Sequence, residues 1–215
     1  MPLSFRDVSL LFGLLAALGT AAAAEAEVAV QCRESWRARP YGSSLRGHDI
    51  DRITVHHSAS GSPKAAANVA RLIRSFQAMH MAAPKRYPDV AYHLLIDADG
   101  RVWEGRPLWA RGDTPTDYNP EGHLLLCLIG NFERGQVSEA QWRSLVEVVT
   151  WASAEWQVPL DRVAGHSTYA STLCPGRELH RRLADGQLAR AVEVRRSKGA
   201  VGLQSCPRRL PTGTP

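Results

Sequence analysis

Two periods of apolar and polar positions run along the chain. Arg52–His57 alternates apolar Ile53 and Val55 with polar neighbours, which predicts a strand. Ser62–Ala82 changes period: Val69, Leu72, Ile73, Phe76 and Met79 recur at helical spacing, and Pro63 suits a first helical turn. Asp89–Ile96 returns to alternation, with Val90, Tyr92, Leu94 and Ile96 on one face and Ala91, His93 and Leu95 on the other. Asp99-Gly100 is a turn signal, and Arg101–Glu104 is the returning strand of a hairpin. Gly105–His123 is a long polar loop with three prolines, of a length that often serves binding. His123–Ile129 reads as a buried strand. Ser138 opens a helix, with Gln141 placed for a capping box and Trp142, Leu145, Val149, Ala152 and Trp156 on the buried face. Arg162–Gly165 is a short strand, and Arg177–Val194 one last helix with Leu179, Leu183, Leu188 and Val192 in phase. Strands alternating with helices predict an α/β sheet covered by helices.

The N-terminus stands apart from this pattern. A short charged start, the apolar run Val8–Leu18 and the small residues Ala21–Ala24 form the layout of a secretory signal peptide. Residues 1–24 are therefore expected to be removed, with an uncleaved N-terminal anchor as the alternative. About 190 residues remain, enough for one domain with a full core. Residues 25–47 read as a lead-in anchored by Trp36, 48–194 as the main domain and 195–215 as a basic tail. The net charge of +5 owes much to Arg195, Arg196, Lys198, Arg208 and Arg209 at that end, expected to be solvated. An exported chain without a recognisable nucleic-acid module is not expected to bind nucleic acid. Nor is stable membrane insertion expected after cleavage. Four cysteines allow three full pairings. Cys32–Cys206, which flanks the domain, is favoured, and Cys127 falls in an apolar run and is expected to be a buried thiol.

Candidate chemistry concentrates in His56, at the end of the first strand, and in His166 and Cys174, in Gly165-His166 and Leu173-Cys174-Pro175-Gly176. Two imidazoles and a thiolate with a fourth position open make a catalytic type of zinc site. A metal with a free position polarises carbonyls and acidifies water. His57 is expected to face away from such an ion, because strand neighbours alternate. His93 is read as structural or as cleft wall and His80 as a core or capping residue; His48, His123 and His180 are given no role.

Further segments stand in a diagnostic order: Ser35–Pro40, Ile53–Ala59, Asp89–Ile96, Gly100–Arg106, Leu128–Phe132 and Gly165–Gly176. Together they resemble the zinc N-acetylmuramoyl-L-alanine amidases of the peptidoglycan recognition protein and phage-lysozyme type, over about residues 32 to 185. The resemblance implies a single α/β domain whose central mixed, mostly parallel sheet of about five to six strands is flanked by about three helices. It also implies one zinc ion on His56, His166 and Cys174, with Tyr92 and Thr172 at the family's two other catalytic positions. The implied reaction is hydrolysis of the amide between the lactyl group of N-acetylmuramic acid and L-alanine of the stem peptide. The expected partner is peptidoglycan or a muropeptide, the place of action outside the cell or in the periplasm, and the state monomeric. Family members that bind peptidoglycan without cutting it typically lack the cysteine, so a non-hydrolytic recognition module is the alternative. A cytosolic recycling amidase is a third, opposed by the signal peptide. Two departures stand out. Ala110–Thr114 replaces a loop often holding a histidine, and Leu125 replaces a glycine, so a differently packed cleft wall is expected.

Overall fold

A computed structural model describes residues 26–207; residues 1–24, expected to be a signal peptide, and Arg208 and Arg209 lie outside the described residues. Eight strands and four α-helices follow in the order β1 (Ala26–Val28), β2 (Val30–Gln31), β3 (Arg52–His57), α1 (Ala66–Met81), β4 (Leu94–Ile96), β5 (Val102–Glu104), β6 (His123–Leu128), α2 (Glu139–Glu155), β7 (Val163–Gly165), α3 (Arg177–Ala184), α4 (Gln187–Arg196) and β8 (Val201–Leu203). Six of the strands form a mixed sheet, β2-β5-β4-β6-β3-β7, in which only the β4–β5 hairpin is antiparallel. The expected α/β class and its mostly parallel sheet are therefore present, with four helices rather than three.

Alternation in the strands sorts the core onto the two sheet faces. Ile53, Val55, Leu124, Leu126 and Leu128 pack with Leu145 and Val149 of α2 and Val192 of α4. Leu95, Trp103, Cys127 and Ile129 pack with Val69, Ile73 and Phe76 of α1 and with Trp36 of the lead-in, which is fully buried. Each apolar side chain so buried contributes roughly 1.5–3 kcal/mol.

Several boundaries differ from expectation. The strand predicted over Asp89–Ile96 is regular only at Leu94–Ile96. Upstream, side chains take the backbone groups a ladder would use: the Arg106 guanidinium donates to the carbonyls of Val90 (2.9 Å) and Asp89 (3.2 Å), and the Asp89 carboxylate accepts the Val90 N–H at 2.7 Å. The alternation slips between Tyr92 and Leu94, so Val90 and Tyr92 share a cluster with Leu95, not with Leu94 and Ile96. Met79, expected on the buried face of α1, is exposed, and His80 is buried instead. The last helix is two, because Gly186 takes a left-handed φ of +67° between α3 and α4. The capping box is half made. Ser138 Oγ accepts the Gln141 N–H at 3.0 Å, but the Gln141 side chain turns inward to the carbonyls of Ile96 and Ile129. Arg195 and Arg196 close α4 rather than open a tail: Arg195 binds Glu147 at 2.7 Å, while Arg196 is exposed as expected and reaches the Ser153 hydroxyl at 2.7 Å.

The two ends of the described chain meet. β1 and β8 pair in parallel, and Cys32 and Cys206 form the favoured disulfide. Cys127 is a buried free thiol.

Candidate metal centre

Sheet register creates the site. β7 pairs with β3 so that Gly165 lies opposite Val55, and the next residues, His166 and His56, emerge side by side with ring centroids 4.5 Å apart. The chain after β7 makes a 3-10 turn over His166–Thr168 and folds back. The Thr172 hydroxyl accepts the Cys174 N–H at 3.2 Å, and Gly176 N–H closes onto Leu173 O at 2.6 Å. Gly176 permits this return: its φ is +91°, and a Cβ there would run into the backbone of Phe132 and Glu133. Cys174 Sγ thereby comes within 3.4 Å of the His57 N–H and 3.6 Å of His56 Nδ1.

Ligand-type atoms of His56, His166 and Cys174 all lie within 4.8 Å of one another. Zinc bonds of ~2.0 Å to nitrogen and ~2.3 Å to sulfur at a tetrahedral angle would set N and S about 3.5 Å apart. The 3.6 Å separation of His56 Nδ1 from Cys174 Sγ fits that spacing. Burial suits the site to a cation. It holds the His56 pKa well below the usual imidazole range, lowers His166 to about 4 and raises the Cys174 thiol to about 12. Neutral imidazoles keep a lone pair for a metal, and a bound cation supplies the charge that lets the thiol lose its proton. The residues present therefore fit a zinc ion. The other compact group, Cys32, Glu104 and Cys206, has its sulfurs in the disulfide and offers no such set.

Tyr92 lies on this face, its ring 5.3 Å from that of His56. Its carbonyl accepts the Arg106 N–H at 2.8 Å, and Gly105 packs so closely on that carbonyl that a Cβ would collide with it. Burial drives the Tyr92 phenol well above its ordinary pKa, so it stays a donor. Thr172 is half-buried, with its hydroxyl engaged by the Cys174 backbone.

The rings of the other histidines have partners outside the His-His-Cys group. His57 turns its Nδ1 to the Phe132 N–H at 3.3 Å. His93 bonds Ala110 O at 2.9 Å and the Leu125 N–H at 2.8 Å. His80 accepts the Ala91 N–H at 3.1 Å with its ring 5.9 Å from Tyr92. His123 bonds the Thr54 hydroxyl at 2.7 Å, His48 Leu108 O at 3.2 Å and His180 the Ser167 hydroxyl at 3.0 Å.

Both departures have a structural account. Leu125 is fully buried against Gly112, so the glycine's space is exchanged between neighbouring segments. Asp113 is bound to the buried Arg106 at 2.6 Å. One contact had no signal in the sequence: Thr116, in the long loop, bonds His166 Nε2 at 2.8 Å. Tyr118, two residues on, packs edge-on against the same ring at 5.2 Å.

A mixed six-stranded sheet with a His-His-Cys group at the ends of its parallel strands β3 and β7 defines an α/β protein built around one candidate metal pocket. The chain belongs to the N-acetylmuramoyl-L-alanine amidase family, whose profile matches residues 46–177. It is similar to peptidoglycan recognition protein 1 of Mus musculus, at 32% identity over 173 residues, 78% of this chain and 91% of that protein. Similarity to peptidoglycan-recognition protein SD of Drosophila melanogaster is 29% over 171 residues, with the same coverage of 78% and 91%. The crystal structure of the Drosophila SD protein superposes with a TM-score of 0.66 at 25% identity, covering 74% of this chain and 93% of that one. Peptidoglycan recognition protein LE, solved in complex with tracheal cytotoxin (a monomeric diaminopimelic acid-type peptidoglycan), shares the fold with a TM-score of 0.66 at 24% identity, covering 73% and 92%. Among the described residues no helix is long and apolar enough to cross a membrane.

Proposed function

We propose that this chain is an exported, monomeric zinc amidase that hydrolyses the bond between the lactyl group of N-acetylmuramic acid and L-alanine of the peptidoglycan stem peptide. The observation that carries the proposal is the complete His56–His166–Cys174 group, with its ligand atoms within 4.8 Å of one another. A zinc ion held there supplies Lewis acidity toward the scissile carbonyl and lowers the pKa of water. The chain's own residues do the rest. Tyr92, kept protonated by burial, donates a hydrogen bond to the oxygen that gains charge as the carbonyl is attacked. A fixed donor of that kind contributes on the order of 10²–10³ in rate. Thr172 fixes the Cys174 loop and sets the thiolate against His56. The Arg106 salt bridge holds the Asp113 carboxylate.

A second reading, recognition without cleavage, is favoured by the relatives, which are named for recognition. The test is incubation of the purified protein with cell-wall peptidoglycan and mass spectrometry of the soluble products, with and without a chelator. Free stem peptides that vanish with the chelator and with Cys174→Ser support the amidase. Tight muropeptide binding without products, in protein that carries zinc, decides for recognition.

A further inference from the structure

The two histidines of the metal group are held in different ways. His56 sits on β3, an interior strand, is only 3% exposed, and its Nε2 has no hydrogen-bond partner. Burial on that strand and the neighbouring Tyr92 and His166 rings, 5.3 and 4.5 Å away, hold that ring. His166 follows β7, the edge strand, and begins a loop, so the sheet supports it from one side only. Its Nε2 meets the Thr116 hydroxyl at 2.8 Å. Thr116 comes from the loop that departs from the family pattern.

We propose that Thr116 is a positioning residue for His166, fixing the ring so that Nδ1 is the nitrogen free for the metal. The inference rests on the zinc reading above. An imidazole that ligates through Nδ1 carries its proton on Nε2, and that proton needs an acceptor. The Thr116 oxygen accepts it and passes its own proton toward the Thr114 hydroxyl, 2.7 Å away. Thr114 Oγ also accepts the Thr116 N–H at 3.2 Å, so the two threonines brace each other. The loop is anchored in turn. The Asp113 carboxylate is bound at 2.6 Å by Arg106, whose side chain is 1% exposed and tied to two main-chain carbonyls of residues 89 and 90. One buried guanidinium thus fastens the loop, and the loop fastens the edge-strand ligand.

The test measures zinc affinity by competition with a chromophoric chelator, together with the visible spectrum of the cobalt-loaded protein. Wild type is compared with Thr116→Val, Thr116→Ala and Thr116→Ser, and apoprotein melting serves as the check on folding. Removing the hydroxyl weakens zinc binding about 10- to 100-fold, the usual cost of losing a partner behind a metal-bound histidine. It also shifts the cobalt spectrum, and serine restores both. Wild-type affinity in the valine and alanine variants overturns the proposal, as does a serine variant as weak as they are. Wild type that binds no zinc, or a His166→Ala variant that binds it as tightly, overturns the metal reading itself.

Discussion

The Cys32–Cys206 disulfide makes the sharpest prediction about stability. It links residues 174 apart, nearly the whole described chain. Cross-linking a chain removes conformational freedom from its unfolded state, and the loop-entropy relation gives about 5 kcal/mol for a loop of this size. Replacing Cys206 with Ser leaves other native links between the ends. The Gln204 N–H still reaches Val28 O at 3.0 Å, the Gln204 side chain still accepts the Val30 N–H at 3.0 Å, and β1 still pairs with β8. The loss is therefore read chiefly from the unfolded chain. Guanidinium unfolding of the zinc-free protein, followed by tryptophan fluorescence, measures it. With a denaturant slope of about 4–5 kcal/mol/M, the midpoint falls by about 1 M. Reduction of the wild type gives the same shift. Zinc affinity at low denaturant is unchanged, because the proposed ligands come from β3 and from the segment after β7, and neither strand pairs with β1 or β8. A loss below about 1 kcal/mol at unchanged slope refutes the entropic argument.

Three other outcomes follow from the site and its supports. Tyr92→Phe keeps zinc bound and lowers turnover of muropeptide by about 10²–10³, read from kcat at saturating substrate; unchanged kcat removes Tyr92 from the proposed chemistry. Gly176→Ala forces a Cβ into the Phe132–Glu133 backbone at a φ of +91° and destabilises the fold by more than about 1 kcal/mol, with weaker zinc binding; calorimetry and metal titration check both. Acid weakens the fold through its buried histidines. Burial lowers His80 to about 4 and His93 to about 3, against 6.5 when unfolded, so below pH 6.5 the unfolded chain takes up more protons. Stability is complete above pH 6.5 and falls as pH drops toward 4, each histidine costing about 2 kcal/mol at pH 5. Unfolding free energies between pH 7 and 5 that do not fall, in His80→Gln and His93→Gln controls as in the wild type, would contradict this.

What could be read from the sequence, and what could not, divides along a physical line. Ile53 and Val55 alternate with polar neighbours, and Asp99-Gly100 turns a hairpin, because period and turn chemistry are local. Gly186, which breaks the last helix, and Arg195, which finds Glu147, depend on what packs beside them. Thr116 is the extreme case. A threonine in a polar loop carries no local mark, and its role comes only from meeting a histidine 50 residues away.

The slip at Tyr92 shows why a broken pattern is informative. His56 and Cys127 pair across β3 and β6, and Cys127 pairs with Leu95, so this row of side chains belongs to the α1 face. Leu94 points to the other face, with α2. Strict alternation backward from Leu94 would send Tyr92 to the α2 face as well, away from His56. The ladder is instead irregular at Tyr92 and His93, whose successive carbonyls accept the N–H groups of Arg106 and Gly105 at 2.8 Å each, and the alternation slips between Tyr92 and Leu94. Tyr92 then stands 5.3 Å from His56. Arg106 therefore serves the candidate site twice, through its main-chain N–H on the Tyr92 carbonyl and through the salt bridge to Asp113 in the loop that reaches His166.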